Sequence, residues 1–243
     1  MKTIKRILLI IAAFILISAF PAVACGAHAV FSEPASEGVG AGVQIPAELI
    51  YQQSADAVFL LEMYDINGEL IRTGSGFFIS EMGLGVTNLH VIQNAASASI
   101  ILNNGDEYPV RGVHAVSEEH NLCIFSIDSD EVGWDYLSLA NSDNIESGNS
   151  VYAIGSPMGY INTMTGGIIS NTQRDAEGER FIQFTAPISF GSGGSPLLNS
   201  LGQVIGVASS SFSYGQNLNL AVPINHVKAM HPGECVPLSK LLR

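Results

Sequence analysis

The chain has 243 residues, room for one large domain or two small ones, and 47% of it is apolar, enough to bury a sizeable core. Glycine is plentiful (25) and charged residues are few (13%), which speaks against a helical bundle and for a loop-rich β protein. The formal charge is −12, a field that repels phosphate backbones and anionic headgroups, so nucleic-acid binding is disfavoured.

At the start of the chain Lys2, Lys5 and Arg6 precede an apolar run over residues 7–20. Ala22-Val23-Ala24 then supplies the small-x-small pattern of a signal-peptidase site. Residues 1–24 therefore read as an export signal, and the protein as secreted or extracytoplasmic. The run is short for a hydrocarbon core of ~30 Å, but an uncleaved anchor stays open. So does a lipoprotein carrying its lipid on Cys25, directly after Ala24. Residues 25–49 mix Gly, Ala, Ser, Pro and Glu without periodicity and read as a linker.

The texture then changes to short apolar runs divided by turn signals. The first covers residues 57–61. Asp65-Ile66-Asn67-Gly68 follows and predicts a hairpin with a type I′ turn, leading into residues 70–72. Further strands are expected at 76–79, 85–88, 97–102, 107–113 and 122–127. After the polar break Asp128-Ser129-Asp130 come 151–154, 161–169, 181–186, 203–210 and 218–222. Only two stretches look helical: a short turn at His90 and residues 225–230. Many short strands between turns predict a barrel or sandwich rather than a βαβ sheet. Cys123 lies in an apolar run and is expected as a buried free thiol; with Cys235 and Cys25 it is too little for a disulfide framework.

Three segments carry chemistry. The first is Gly74-Ser75-Gly76-Phe77-Phe78 followed by Val86-Thr87-Asn88-Leu89-His90-Val91. The second is Glu118-Glu119-His120-Asn121 before Leu122-Cys123-Ile124. The third is Ala186-Pro187-Ile188, then Gly191-Ser192-Gly193-Gly194-Ser195-Pro196-Leu197-Leu198-Asn199, with Gly202-Gln203-Val204-Ile205-Gly206-Val207 behind it. In this order they resemble the trypsin-type serine peptidases of the bacterial HtrA/Deg kind, over residues 50–231, with residues 232–243 as a tail and no PDZ-like segment.

The resemblance implies an all-β fold of two perpendicular six-stranded antiparallel barrels with a short C-terminal helix and a cleft between the barrels. It places His90 at the general base and puts Asn121 where the family has its aspartate. Gly193 falls on the nucleophilic serine, and the backbone N–H groups of Gly191 and Gly193 on the oxyanion hole. Two of the three reacting groups are thus replaced, and an inactive homologue is expected.

Ser192 is the alternative nucleophile if the loop slips by one residue; Glu119 is an alternative orienter for His90, and Ser195 is expected to pack. The strand edge over residues 207–211 is expected to pair with an extended peptide or protein segment, the implied partner. The base of the specificity pocket, near Pro187 and residues 208–212, carries no charge. Glu118-Glu119-His120 reads as a solvated turn, because no second His or Cys follows at ligand spacing, and His226 and His231 read as surface residues. No metal and no cofactor are expected.

Overall fold

A computed structural model describes residues 44–176, 178–209 and 218–242. The expected export signal and residues 25–43 of the expected linker lie outside these residues, as do positions 210–212 of the expected pocket wall.

Twelve strands close into two antiparallel barrels, as the resemblance implies. The first is built from β1 (Val58–Tyr64), β2 (Leu70–Phe78), β3 (Leu84–Asn88), β4 (Ser97–Ile101), β5 (Glu107–Ser117) and β6 (Leu122–Ile127), in the order β1-β2-β3-β6-β5-β4. The second contains β7 (Ser150–Gly155), β8 (Thr163–Ala176), β9 (Glu179–Phe184), β10 (Pro196–Leu198), β11 (Val204–Ser209) and β12 (Asn219–Pro223), in the order β10-β11-β12-β9-β8-β7. Closure removes the sheet edges that an open sheet would leave for aggregation.

Each barrel has its own interior. Phe59, Phe78 and Phe125 fill the first, with ring centroids 4.8 Å and 5.9 Å apart for the Phe59 pairs. Val151, Ile182, Phe184 and Ile205 fill the second. A third cluster joins the two, with Val58, Phe77 and Ile124 of the first barrel packed on Ile154, Val207 and Val222 of the second. The cleft therefore has a rigid floor.

Three local expectations change. The first hairpin forms, but not through a type I′ turn: Gly68 has φ 79° whereas Asn67 is not in the positive-φ region. The Asp65 side chain accepts the N–H groups of Asn67 and Glu69, at 2.8 and 2.9 Å, and the Gly68 N–H reaches Asp65 O. That is a type I turn closed by a left-handed glycine, with a bulge in the ladder at Met63/Tyr64. A third helix, α1 (Ala47–Ser54), occupies what reads as the end of the linker, and buries Ile50 in the joint cluster. Pro46 before it and Glu48 in its first turn are helix-start signals. The tail also docks: Val236 and Val113 exchange backbone hydrogen bonds of 2.7 and 2.8 Å, and Leu238 enters the first barrel's cluster.

Candidate active site

β3 ends at Asn88 and the chain turns into the four-residue helix α2 (Leu89–Ile92), which carries His90. The turn between β5 and β6 faces it. Asn121 there has φ 52°, a left-handed conformation that asparagine tolerates because its short side chain can bond locally. The turn is fixed on α2, since Asn121 O accepts the Leu89 N–H (3.0 Å) and the Asn88 side-chain amide (3.2 Å).

The Asn121 side chain then decides the state of His90. Its Oδ1 accepts the His90 backbone N–H at 2.9 Å, and its Nδ2 stands 2.7 Å from His90 Nδ1. A backbone N–H only donates, so the oxygen has to face it and the amide NH₂ has to face the ring. An amide nitrogen has no lone pair to offer, so Nδ1 is the acceptor and the ring proton sits on Nε2. A carboxylate in the same place would accept from both the backbone and Nδ1–H, and so leave Nε2 bare.

Burial lowers the affinity of His90 for a proton, and the nearby Arg72 guanidinium pushes the same way. Asn121 would favour the cation only by turning its oxygen to the ring, but the His90 N–H holds that oxygen.

His90, Gly191 and Gly193 line one groove of about 410 Å³, with Arg72 and the exposed side chains of Met158 and Phe190 around them. The second-barrel loop that enters it is locked to the first barrel. Ser75 N–H donates to Gly193 O (2.9 Å), Ser75 Oγ–H to Gly191 O (2.7 Å), and Ser75 Oγ accepts the Ser156 N–H (2.8 Å). Gly194 has φ 89°, and a Cβ there would collide with Ser75 O and Thr87 Oγ1, so this position demands glycine. Gly193 is not in the positive-φ region. Neither the Gly191 nor the Gly193 N–H donates to another group among the described residues.

The hydroxyls of the loop lie elsewhere. Ser192 is 5% exposed and its Oγ accepts the Ser189 N–H at 3.3 Å. It lines a separate cavity of about 160 Å³, together with Gly155, Pro157, Thr163 and Ser195, that shares no residue with the His90 groove. Ser195 Oγ is buried, makes no hydrogen bond among the described residues, and packs where any Cβ on Gly155 would meet it. Thr73 of β2 carries the only hydroxyl among the described residues lining the His90 groove, a residue the sequence does not single out. Glu119 is exposed and its carboxylate clusters with His120 and Glu179.

The strand edge expected to receive a peptide is partly occupied. Val207, Ala208 and Ser209 pair with β12 on one side. On the other, Ala208 O accepts the Gly194 N–H (2.9 Å) and its N–H reaches Ser195 O (2.8 Å). Positions 210–211 of that edge lie outside the described residues. In the first barrel Cys123 is fully buried and burial pushes its thiol up to about 12, so it packs as a small hydrophobe rather than reacting.

Known proteins are similar to this chain in sequence and fold. The trypsin-like peptidase domain family matches residues 74–207, more than half of the chain. Serine protease HTRA1B of Danio rerio is 34% identical over 190 residues, covering 74% of this chain and 39% of that protein. The mitochondrial serine protease HTRA2 of Drosophila virilis is 34% identical over 191 residues, covering 72% of this chain and 44% of that protein. The chain thus spans about two fifths of the length of these curated relatives. Among solved structures, Deg5 superposes with a TM-score of 0.64 at 28% identity, covering 74% of this chain and 90% of Deg5. The HtrA-type protease AlgW, solved with a tripeptide, gives 0.68 at 29% identity over 76% of this chain and 62% of its own. The fold is two closed six-stranded barrels, and the chain is a member of the trypsin-like peptidase domain family, similar to the HtrA-type serine proteases.

Proposed function

We propose that this protein is an exported, non-catalytic HtrA homologue that holds an extended peptide or protein segment in the His90 groove. The observation that carries the reading is the pair of contacts between Asn121 and His90, which puts the ring proton on Nε2, the nitrogen that must be bare to accept a proton from a nucleophile. Gly193 on the same groove offers no atom for attack, and the Ser192 hydroxyl is engaged with Ser189. Binding is supported by what is left: the N–H groups of Gly191 and Gly193, unused among the described residues, suit a peptide carbonyl, and exposed Phe190 and Met158 suit apolar side chains.

Export rests on the sequence of residues 1–24. Mass spectrometry of the mature N-terminus separates a free Cys25 after cleavage from a lipidated one.

A fluorescein-labelled unstructured peptide with apolar side chains tests the binding directly. It should bind reversibly and be recovered uncut, and Phe190→Ala should weaken it roughly tenfold, as expected when an aromatic anchor is truncated. Recovery of cleaved peptide, with cleavage abolished by Ser192→Ala or Thr73→Val, would reverse the reading.

A further inference from the structure

Outside the His90 groove, the fold assembles a second group of side chains from three separate stretches of sequence. Glu119 and His120 lie on the turn between β5 and β6 of the first barrel. Glu179 opens β9 of the second barrel, and His226 lies on α3 (Ile224–Ala229). One carboxylate oxygen of Glu119, one ring nitrogen of His120 and one carboxylate oxygen of Glu179 lie within 4.8 Å of one another. The His226 ring stacks on His120 with centroids 3.7 Å apart at 34°, so His226 is not the free surface residue the sequence suggests.

We propose that Glu119, His120 and Glu179 form a binding site for a divalent cation of the Zn²⁺ type that clamps the two barrels together beside Asn121.

The contacts suit a metal better than an ion pair. His120 Nδ1 stands 3.4 Å from Glu179 Oε2, longer than a charge-assisted hydrogen bond should be. That 3.4 Å matches one edge of a tetrahedron whose metal–ligand bonds are about 2.0–2.1 Å, the Zn–N and Zn–O range, and an oxygen of the exposed Glu119 side chain lies within 4.8 Å of both atoms. Two carboxylates around one imidazole also leave uncompensated negative charge, within a chain whose net charge is −12, and a divalent cation neutralises it. An imidazole among the donors selects Zn²⁺, Ni²⁺ or Cu²⁺ over Mg²⁺ and Ca²⁺, which ask for oxygen alone. Three protein ligands leave a fourth position for water.

The sequence hides this site because its ligands are brought together only when the two barrels pack against each other. Glu119 and Glu179 are 60 positions apart in the numbering, joined through the first barrel's turn and the hairpin between β8 and β9. The consequence is positional: the residue after His120 is Asn121, whose amide holds the His90 ring. A cation on His120 pins the turn that fixes this amide, and ties that turn to the second barrel through Glu179.

The test uses ZnCl₂ alone, titrated calorimetrically into the purified chain, with Co²⁺ absorption to report the geometry. The expected result is one equivalent bound with micromolar affinity, a tetrahedral Co²⁺ spectrum, and an EDTA-reversible rise in melting temperature. His120→Ala and Glu179→Gln should each weaken binding by tenfold or more, while Cys25→Ser and Cys235→Ser leave it unchanged. Circular dichroism checks the folding of each variant. If His120→Ala does not fold, Glu179→Gln decides, because Glu179 is partly exposed on a hairpin end. No binding at millimolar Zn²⁺, binding untouched in Glu179→Gln, or binding lost with either cysteine overturns the proposal.

Discussion

At position 121 an amide and a carboxylate differ in one group, and that group sets the tautomer of the ring beside it. The backbone N–H of His90 takes the oxygen, which leaves the NH₂ for Nδ1. Restoring chemistry therefore needs two changes that act together. Gly193→Ser alone supplies a hydroxyl but meets a ring protonated at Nε2. Asn121→Asp, which tolerates the same left-handed backbone, frees that nitrogen. In peptide-hydrolysis kinetics the double variant should exceed Gly193→Ser by roughly 10⁴ in kcat, the factor lost when a serine-protease aspartate becomes asparagine. Equal rates for the two variants would mean Asn121 does not control the ring. The burial of His90 has a further consequence for stability. Its folded proton affinity is lowered, so as pH falls the unfolded chain binds the proton first. The contribution is full above the ordinary histidine value of about 6.5 and is lost as pH falls through the lowered folded value. Urea midpoints at pH 8 and pH 5.5 should fall more for the wild type than for His90→Gln. A larger fall in the variant would contradict this.

At the scale of elements, the strands were legible where an apolar run stood between turn signals, as in β4 and β6. Residues 70–72 and 76–79 read as separate pieces because Gly74 interrupts them, yet they are one strand, β2, held by continuous pairing with β1. The three-residue β10 carried no periodicity of its own. It exists because Leu197 pairs with Ala153 on one side and Gly206 on the other, a long-range closure that no local pattern announces. The same holds for the tail, whose docking depends on Val113 of β5 and on a cavity for Leu238 in the first barrel. Leu238→Ala should cost about 2–5 kcal/mol, the range for truncating a buried leucine, read from the urea midpoint at unchanged slope. A loss below about 0.5 kcal/mol, typical of a surface substitution, would show that the tail does not pack.

At the scale of the molecule, the two barrels meet over a shared apolar floor, and the function proposed for the groove is binding without attack. The family was legible in the order and spacing of three segments, because each is a turn whose glycines and side chains are dictated by close approach: Gly194 against Ser75 and Thr87 is the sharpest case. The Glu119–His120–Glu179 cluster and Thr73 on the groove were not legible, since both arise from the juxtaposition of strands distant in sequence. Fluorophosphonate labelling read by intact mass puts the loss of attack to the most direct test, because the probe reacts only with an activated hydroxyl. The wild type should stay unmodified while Gly193→Ser/Asn121→Asp gains a single adduct on the introduced serine. A wild-type adduct mapped to Ser192 or Thr73 would contradict the account.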